Sequence, residues 1–406
     1  MSSEMQTQYY HHGRFKVAGG ILPDAVTAYR TYGDSKNPCI VFPTCYGGRL
    51  DSEQLGSFVS ENIGIHVQTR CVETTNEDEE NTENPLGTHL AQALNPEKYY
   101  IVTFALFSNG ESSSPSNTKA PYNGPYFPAI SYEDNVRAQH VVLAKKLGIE
   151  EVFAVIGFSM GAQQVIIVTF LSGPFSTEQS FVKAYYWGVM YPELVQRHLN
   201  FLLQSNDCTD FLSVSFVVIC GSARTSPHNQ CFIEGPKSAL LASKDFDDGH
   251  YTSTPQHGIR AFGRAYSAWA YGQTWYRDKQ YLYDGKYTDL NSFLREDWEA
   301  GFLDAWDAND MITLINTWQQ GDVSLVRHGG DFQKCLSEIK PRALIMPCKT
   351  DLYFPPEDSE IEVSLMKKKA DLFIIDSVWG HMAGGGSNSV DDAAIFSKIK
   401  EFFGSV

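Results

Sequence analysis

Val152-Phe153-Ala154-Val155-Ile156 runs directly into Gly157-Phe158-Ser159-Met160-Gly161, and Ala162-Gln163-Gln164 follow. The first five residues are an unbroken apolar run, the pattern of a strand covered on both faces. The next five read G-x-S-x-G. After a strand and before a helix, this pentapeptide predicts a nucleophile elbow: a tight turn that pushes a serine hydroxyl out at the end of a sheet. Glycines on both sides of the serine let neighbouring backbone approach closely. The bare motif is weak; its position between strand and helix carries the inference. An ordinary glycine-rich turn is the competing interpretation.

The same apolar signature recurs along the chain. Cys39–Phe42 (CIVF), Tyr100–Phe104 (YIVTF), Phe216–Cys220 (FVVIC), Ala343–Met346 (ALIM) and Leu372–Ile375 (LFII) also read as buried strands. Tyr132 to Leu147 has helix composition, and Gly148 supplies a stop. Strands alternating with helices predict an α/β fold with a mostly parallel sheet. The stretch 231–330 differs, being rich in Trp, Tyr, Phe, Asp and Gln and poor in strand-like runs. It reads as a helical lid inserted between two halves of a core, 1–230 and 331–406, with an independent second domain as the alternative.

A serine nucleophile needs a base and a group that orients the base. Folds that present serine on such an elbow carry the acid and then the histidine downstream. Asp351 fits as the acid, in the turn Lys349-Thr350-Asp351 just after the ALIM strand. His381 fits as the base, in a glycine-rich loop after the LFII strand. Asp376 competes with Asp351 but falls on the segment leading to the histidine, out of order. The negative charge that develops on a carbonyl oxygen under attack needs two donors. The amide of Met160 is one candidate. The other should come from Pro43–Gly48 (PTCYGG), where Cys45 is the first choice and Tyr46 the second, through its amide or its hydroxyl; Pro43 has no N–H.

Composition narrows the class. The chain has 406 residues, 43% hydrophobic and 20% charged, which excludes a wholly disordered protein. Lys plus Arg number 32 against 48 Asp plus Glu, a net charge of −16. That sign argues against nucleic-acid and anionic-membrane partners; the small-molecule substrate expected here follows from the serine chemistry. There is no run of about 18 apolar residues to span a bilayer, and the N-terminal residues lack the apolar core of a secretory signal. The eight cysteines (Cys39, Cys45, Cys71, Cys208, Cys220, Cys231, Cys335 and Cys348) form no C-x-x-C pair. Free buried thiols in a cytoplasmic, reducing setting are expected, with no metal site, since the 11 histidines show no HExxH or clustered spacing. The acidic run Asn76–Asn84 (NEDEENTEN) reads as a solvated loop.

Taken in order, several blocks resemble the homoserine O-acetyltransferase family of the α/β-hydrolase superfamily. They are AYRTYGD from Ala28, PTCYGG from Pro43, NVRAQ from Asn135, GFSMGAQQ from Gly157, GSARTSPHN from Gly221, GRAYSAWAY from Gly263, WDANDM from Trp306, KTDLYFPP from Lys349 and WGHMAG from Trp379. The resemblance implies an α/β-hydrolase fold and ping-pong acyl transfer through an acyl-serine, with Ser159, Asp351 and His381 as the triad. It implies no bound cofactor, acetyl-CoA or another acyl donor as a possible substrate, and a helical lid that often makes a homodimer. The family holds its amino-acid substrate with an Arg and a Tyr seven residues apart; Arg264 and Tyr271 match that spacing. A guanidinium suits a carboxylate, while a structural ion pair and a core tyrosine are the competing roles. One departure bears on substrate. The acetyltransferases follow the histidine with an Asp for the substrate ammonium, and Met382 stands there instead. A thioether cannot pair with a cation. A less polar ester, thioester or lactone is therefore expected in place of homoserine, with homoserine acetyl transfer and a non-catalytic scaffold as alternatives.

Against the family pattern, three stretches look additional: about 55–88, 165–183 and 198–215. They read either as surface loops, which cost only loop entropy, or as translated non-coding sequence.

Overall fold

The computed structural model describes residues 6–50, 94–149, 152–165, 215–339 and 341–404. The three additional stretches lie outside the described residues except at their edges, and so do Cys71, Cys208 and the acidic run.

Among the described residues, eight strands form one sheet in the order β1-β2-β4-β3-β5-β6-β7-β8. They are β1 (Gln8–Val17), β2 (Gly20–Tyr32), β3 (Cys39–Pro43), β4 (Tyr100–Phe104), β5 (Ala154–Phe158), β6 (Ser215–Ile219), β7 (Arg342–Met346) and β8 (Ala370–Leu372). From β4 to β8 all pairings are parallel. Every residue of β3, β4, β5 and β6 is buried, as expected of strands covered on both faces. The first two strands pair antiparallel with each other, and β2 pairs antiparallel with β4. Sequence reading did not find them. β1 alternates between partly buried and exposed positions, a weaker signal than a continuous apolar run. β5 starts and ends two residues later than the VFAVI run. β8 is shorter than expected, because beyond it Ile375 makes only an isolated bridge to Cys348.

The strand order fixes where chemistry can occur. β3 leads to β4 on one side, whereas its other neighbour is β5, whose chain continues to β6 on the opposite side. The loops leaving β3 and β5 therefore diverge and open a crevice at the carboxyl ends of these strands. Those loops are Pro43–Gly48 and the turn at Ser159.

Helices cover the sheet. α1 (Tyr132–Val141) starts with a capping box in which Ser131 and Asp134 satisfy each other's backbone amides, and Val142–Lys146 continue it as a wider π turn. α2 (Met160–Val165) leaves the serine turn. Between β6 and β7 the chain is helical. α3 (Pro227–Leu241) has Pro at its first position and Ser226 as cap. α4 (Gln256–Ser267) buries Ile259, Phe262 and Tyr266. α5 (Ala308–Gln319), capped by Asp307, buries Met311, Leu314, Ile315 and Trp318. This segment meets the core through aromatic rings: Tyr46 of the β3 loop stacks with Phe262, Tyr266 and Trp306 and touches Trp318. α6 (Pro356–Leu365) and α7 (Ser389–Gly404) complete the layers. Among the described residues no helix is long and apolar enough to cross a membrane. Cys39, Cys45, Cys220, Cys335 and Cys348 are buried thiols in no disulfide, whereas the thiol Cys231, on α3, is exposed.

α6 carries an acid that makes stability depend on pH. Glu362 is buried, and its Oε1 accepts the Ala223 amide at 2.6 Å. Its Oε2 is buried without a hydrogen-bond partner. Burial pushes its carboxyl up to about 8, with Asp358 adding to the effect and the Ala223 amide and Arg224 opposing it. The neutral acid suits the fold. Its share of stability is complete below its ordinary value of 4.5 and is lost as pH rises through about 8. Glu362→Gln keeps the acceptor and cannot ionise. We expect thermal unfolding scans to show it melting a few degrees above the parent at pH 9 and close to it at pH 5. Parallel pH dependence in the two proteins would contradict this.

Candidate active site

β5 delivers Ser159 at its carboxyl end. Its φ is +56°, a left-handed conformation that costs a non-glycine residue energy and is tolerated where the surroundings hold it. The Ser159 amide donates to Ile219 O at 3.0 Å, which locks the turn onto β6. The flanking glycines are there for space. A Cβ on Gly157 would fall 2.4 Å from the carbonyl carbon of Gly161, and one on Gly161 would fall 2.6 Å from Pro43 O. No side chain fits either gap, so the β3 loop and the start of α2 lie against each other.

The three residues of the predicted triad come together. His381 Nε2 is 2.9 Å from Ser159 Oγ, and His381 Nδ1 is 2.8 Å from Asp351 Oδ2. Nδ1–H donating to Asp351 leaves Nε2 free to accept the serine proton. The other carboxylate oxygen of Asp351 accepts the amides of Tyr353 at 2.8 Å and Phe354 at 3.0 Å. All three side chains are buried. The rings of Phe158, Tyr353 and Phe354 surround the imidazole at centroid distances of 4.8, 4.7 and 5.6 Å. Excluding water this way strengthens the Asp351–His381 interaction. Phe354 in turn stacks on Trp318 of α5, and Tyr353 donates its hydroxyl to Tyr266 O of α4 at 2.9 Å. Sequence reading passed over this aromatic collar, because rings at such positions look like ordinary core. Asp376, the competing orienter, is exposed and paired with Lys349 at 2.8 Å.

The proposed donors to the oxyanion are placed as follows. Met160 opens α2, so its amide belongs to the first turn, which has no acceptor within the helix. Pro43 O and Thr44 O face Gly161, and the Thr44 amide donates to Phe104 O at 2.8 Å, which holds Cys45 next to the elbow. Burial pushes the Cys45 thiol up to about 12, so it stays neutral. The Tyr46 hydroxyl is engaged elsewhere: it donates to Met311 O at 3.4 Å within the aromatic stack. This argues against the hydroxyl as the oxyanion donor, the alternative to the Tyr46 amide.

Arg264 and Tyr271 also have other partners. Arg264 Nε donates to Glu299 Oε1, its Nη2 donates to Asn291 Oδ1 at 2.9 Å, and Arg260 holds Glu299 Oε2 at 3.1 Å. A buried carboxylate with two guanidiniums on it is an ion-pair cluster of the helical segment, so Arg264 is not a free anchor for a carboxylate. Tyr271 is buried and stacks on Trp275 at 3.7 Å; its hydroxyl lies 3.2 Å from that of Tyr283. These are the competing roles, a structural ion pair and a core tyrosine, that the sequence also offered for the pair. Met382 packs against the hydrophobic core beside His381, and its amide donates to Ala270 O at 3.3 Å.

Among the described residues, the group that is compact enough to hold a metal is Cys220, Asp351 and His381, with ligand atoms within 4.8 Å of one another. Burial, with Asp351 and Cys348 adding to it, pushes the Cys220 thiol well above its ordinary value. It stays protonated, and the other two side chains are bound to each other. The donor set is therefore poorly suited to a cation.

The sheet order, the elbow and the flanking helices define an α/β-hydrolase fold. No family model matches the chain. A Corynebacterium glutamicum protein described as a "Probable esterase" is 27% identical over 405 residues, covering 97% of this chain and 94% of the relative. The ethyl acetate hydrolase of Pseudomonas veronii is 29% identical, covering 73% of this chain and 74% of the relative. A homoserine O-acetyltransferase of Trichormus variabilis is 26% identical, covering 93% and 89%. Among solved structures, that of the acetyl esterase MekB superimposes with a TM-score of 0.74 at 23% identity, over 98% of this chain and 96% of that one. The resemblance read from the sequence is borne out, and it extends to esterases as well as homoserine acyltransferases.

Proposed function

We propose that this protein hydrolyses small, uncharged carboxylic esters through an acyl-serine intermediate. The observation that carries the proposal is the continuous hydrogen-bonded chain Ser159–His381–Asp351 at the end of β5. His381 takes the Ser159 proton as Oγ attacks the carbonyl carbon, and Asp351 orients the imidazole and stabilises its charged form. The amides of Met160 and Cys45 hold the oxyanion. His381 then returns its proton to the departing alcohol, activates a water against the acyl-serine, and the acid leaves. Tyr46 offers this mechanism no hydroxyl.

The relatives named as esterases support ester substrates, and the relative named as an acetyltransferase keeps acyl transfer as the rival. Two observations disfavour homoserine as acceptor: Met382 offers its ammonium no charge, and Arg264 is already held by Glu299. Steady-state kinetics on ethyl acetate and p-nitrophenyl acetate, with and without homoserine, test this. Turnover should change less than about twofold on adding homoserine. A homoserine requirement, with acetyl-CoA consumed, would replace the proposal with the transferase reading. Absence of turnover on every ester, thioester and lactone tried would favour a non-catalytic role.

A further inference from the structure

Asp351 and His381 reach each other from two different loops, and the strands carrying those loops are barely paired. β7 and β8 share three residue pairs, Ala343 with Ala370 through Ile345 with Leu372. The ladder then narrows to the Cys348–Ile375 bridge, where the Ile375 amide donates to Pro347 O at 2.8 Å and the Lys349 amide donates to Ile375 O at 2.9 Å. Past that point no backbone–backbone hydrogen bond joins the two segments among the described residues. At this point the Thr350 side chain continues the connection: its hydroxyl donates to Ser377 O at 2.8 Å and accepts the Gly380 amide at 3.1 Å. Thr350 immediately precedes Asp351, and Gly380 immediately precedes His381. The rest of the histidine loop is held from the far side. Ser377 Oγ donates to Asp391 Oδ2 at 2.6 Å and accepts the Trp379 amide at 3.1 Å, while the Gly272 amide donates to Val378 O at 3.1 Å. None of these other bonds reaches the acid loop. Besides Thr350, the side chains that join it to the histidine segment are Cys348, whose Sγ donates to Ser377 O at 3.6 Å, and Lys349, whose Nζ donates to the exposed Asp376 at 2.8 Å. Neither of these bonds reaches the Gly380 amide beside His381.

We infer that Thr350 is a positioning residue whose hydroxyl, by bridging Ser377 O and the Gly380 amide, sets the distance between the acid and histidine loops and so the Asp351–His381 hydrogen bond. This rests on the triad reading above. The hydroxyl is the group required, because it both donates and accepts. Thr350→Val keeps the shape and loses both bonds; Thr350→Ser keeps them.

Two readouts separate this role from simple packing. In substrate-free protein, the His381 Nδ1 proton should give a downfield proton NMR resonance in the parent and in Thr350→Ser, and the resonance should weaken or move upfield in Thr350→Val. With an ester that the parent hydrolyses, kcat of Thr350→Val should fall about 10- to 100-fold at nearly unchanged KM, the scale expected for a misplaced catalytic group. Thr350→Ser should stay within about threefold of the parent. A folded Thr350→Val with the parent's resonance and kcat would overturn the inference. If Thr350→Val does not fold, Thr350→Ser decides: loss of the resonance in a folded Thr350→Ser would overturn it, because the hydroxyl is still present. A parent that shows the resonance but turns over no ester would refute the proposed function and leave the positioning role standing.

Discussion

Ser159→Ala is expected to lower kcat for ester hydrolysis by at least about 10⁴-fold, leaving only what binding and the oxyanion donors supply. The loss is large because the hydroxyl supplies both the attacking atom and the first acyl acceptor. The fold should persist. The Ser159 amide that donates to Ile219 O is unchanged, and alanine still occupies the strained turn, at φ +56°. Parallel thermal melts and steady-state rates on p-nitrophenyl acetate check the two halves. A folded variant keeping a tenth or more of the parent's kcat would place the nucleophile elsewhere.

Asp351→Asn should cost about 10⁴-fold in kcat with little change in structure, the scale expected when the orienting carboxylate becomes an amide. The backbone sets the outcome. The Tyr353 and Phe354 amides donate to Oδ1 at 2.8 and 3.0 Å, so the amide oxygen of the variant must face them. Its NH₂ group then faces His381 Nδ1, where Oδ2 accepts at 2.8 Å in the parent. Two donors cannot share that contact. The imidazole shifts its proton to Nε2 and can no longer accept one from Ser159. Because hydroxide can take the Ser159 proton in place of the imidazole, the deficit should shrink at high pH. The check is a kcat/KM profile from pH 6 to pH 10; a variant within tenfold of the parent throughout would show that Asp351 does not orient the base.

What the sequence revealed of this site, and what it hid, follows from how local each signal is. β3 to β6 were readable because strands covered on both faces need apolar residues throughout. Ser159 was readable because an elbow needs glycines at fixed offsets, and Asp351 and His381 because each follows a recognisable strand in the required order. β1 and β2 were hidden: a half-exposed hairpin such as QYYHHGRFKV mixes polar and aromatic residues. The role of Arg264 was hidden as well. Its partner Glu299 lies 35 positions away, and no spacing within α4 reveals which anion a guanidinium will find. Thr350 looked like any turn threonine, because its two bonds reach 27 and 30 residues ahead to Ser377 and Gly380. The family resemblance suggested Arg264 and Tyr271 as a substrate-binding pair; the tertiary structure holds one in an ion pair and buries the other in a ring stack.

The central claim is that Ser159 is an activated nucleophile, and intact-mass measurement after treatment with a fluorophosphonate tests it without any choice of substrate. The parent should gain one adduct per chain, mapped to the peptide containing Gly157–Gly161, and Ser159→Ala should gain none. Folded parent protein that takes up no label, or a label that persists in Ser159→Ala, would contradict it.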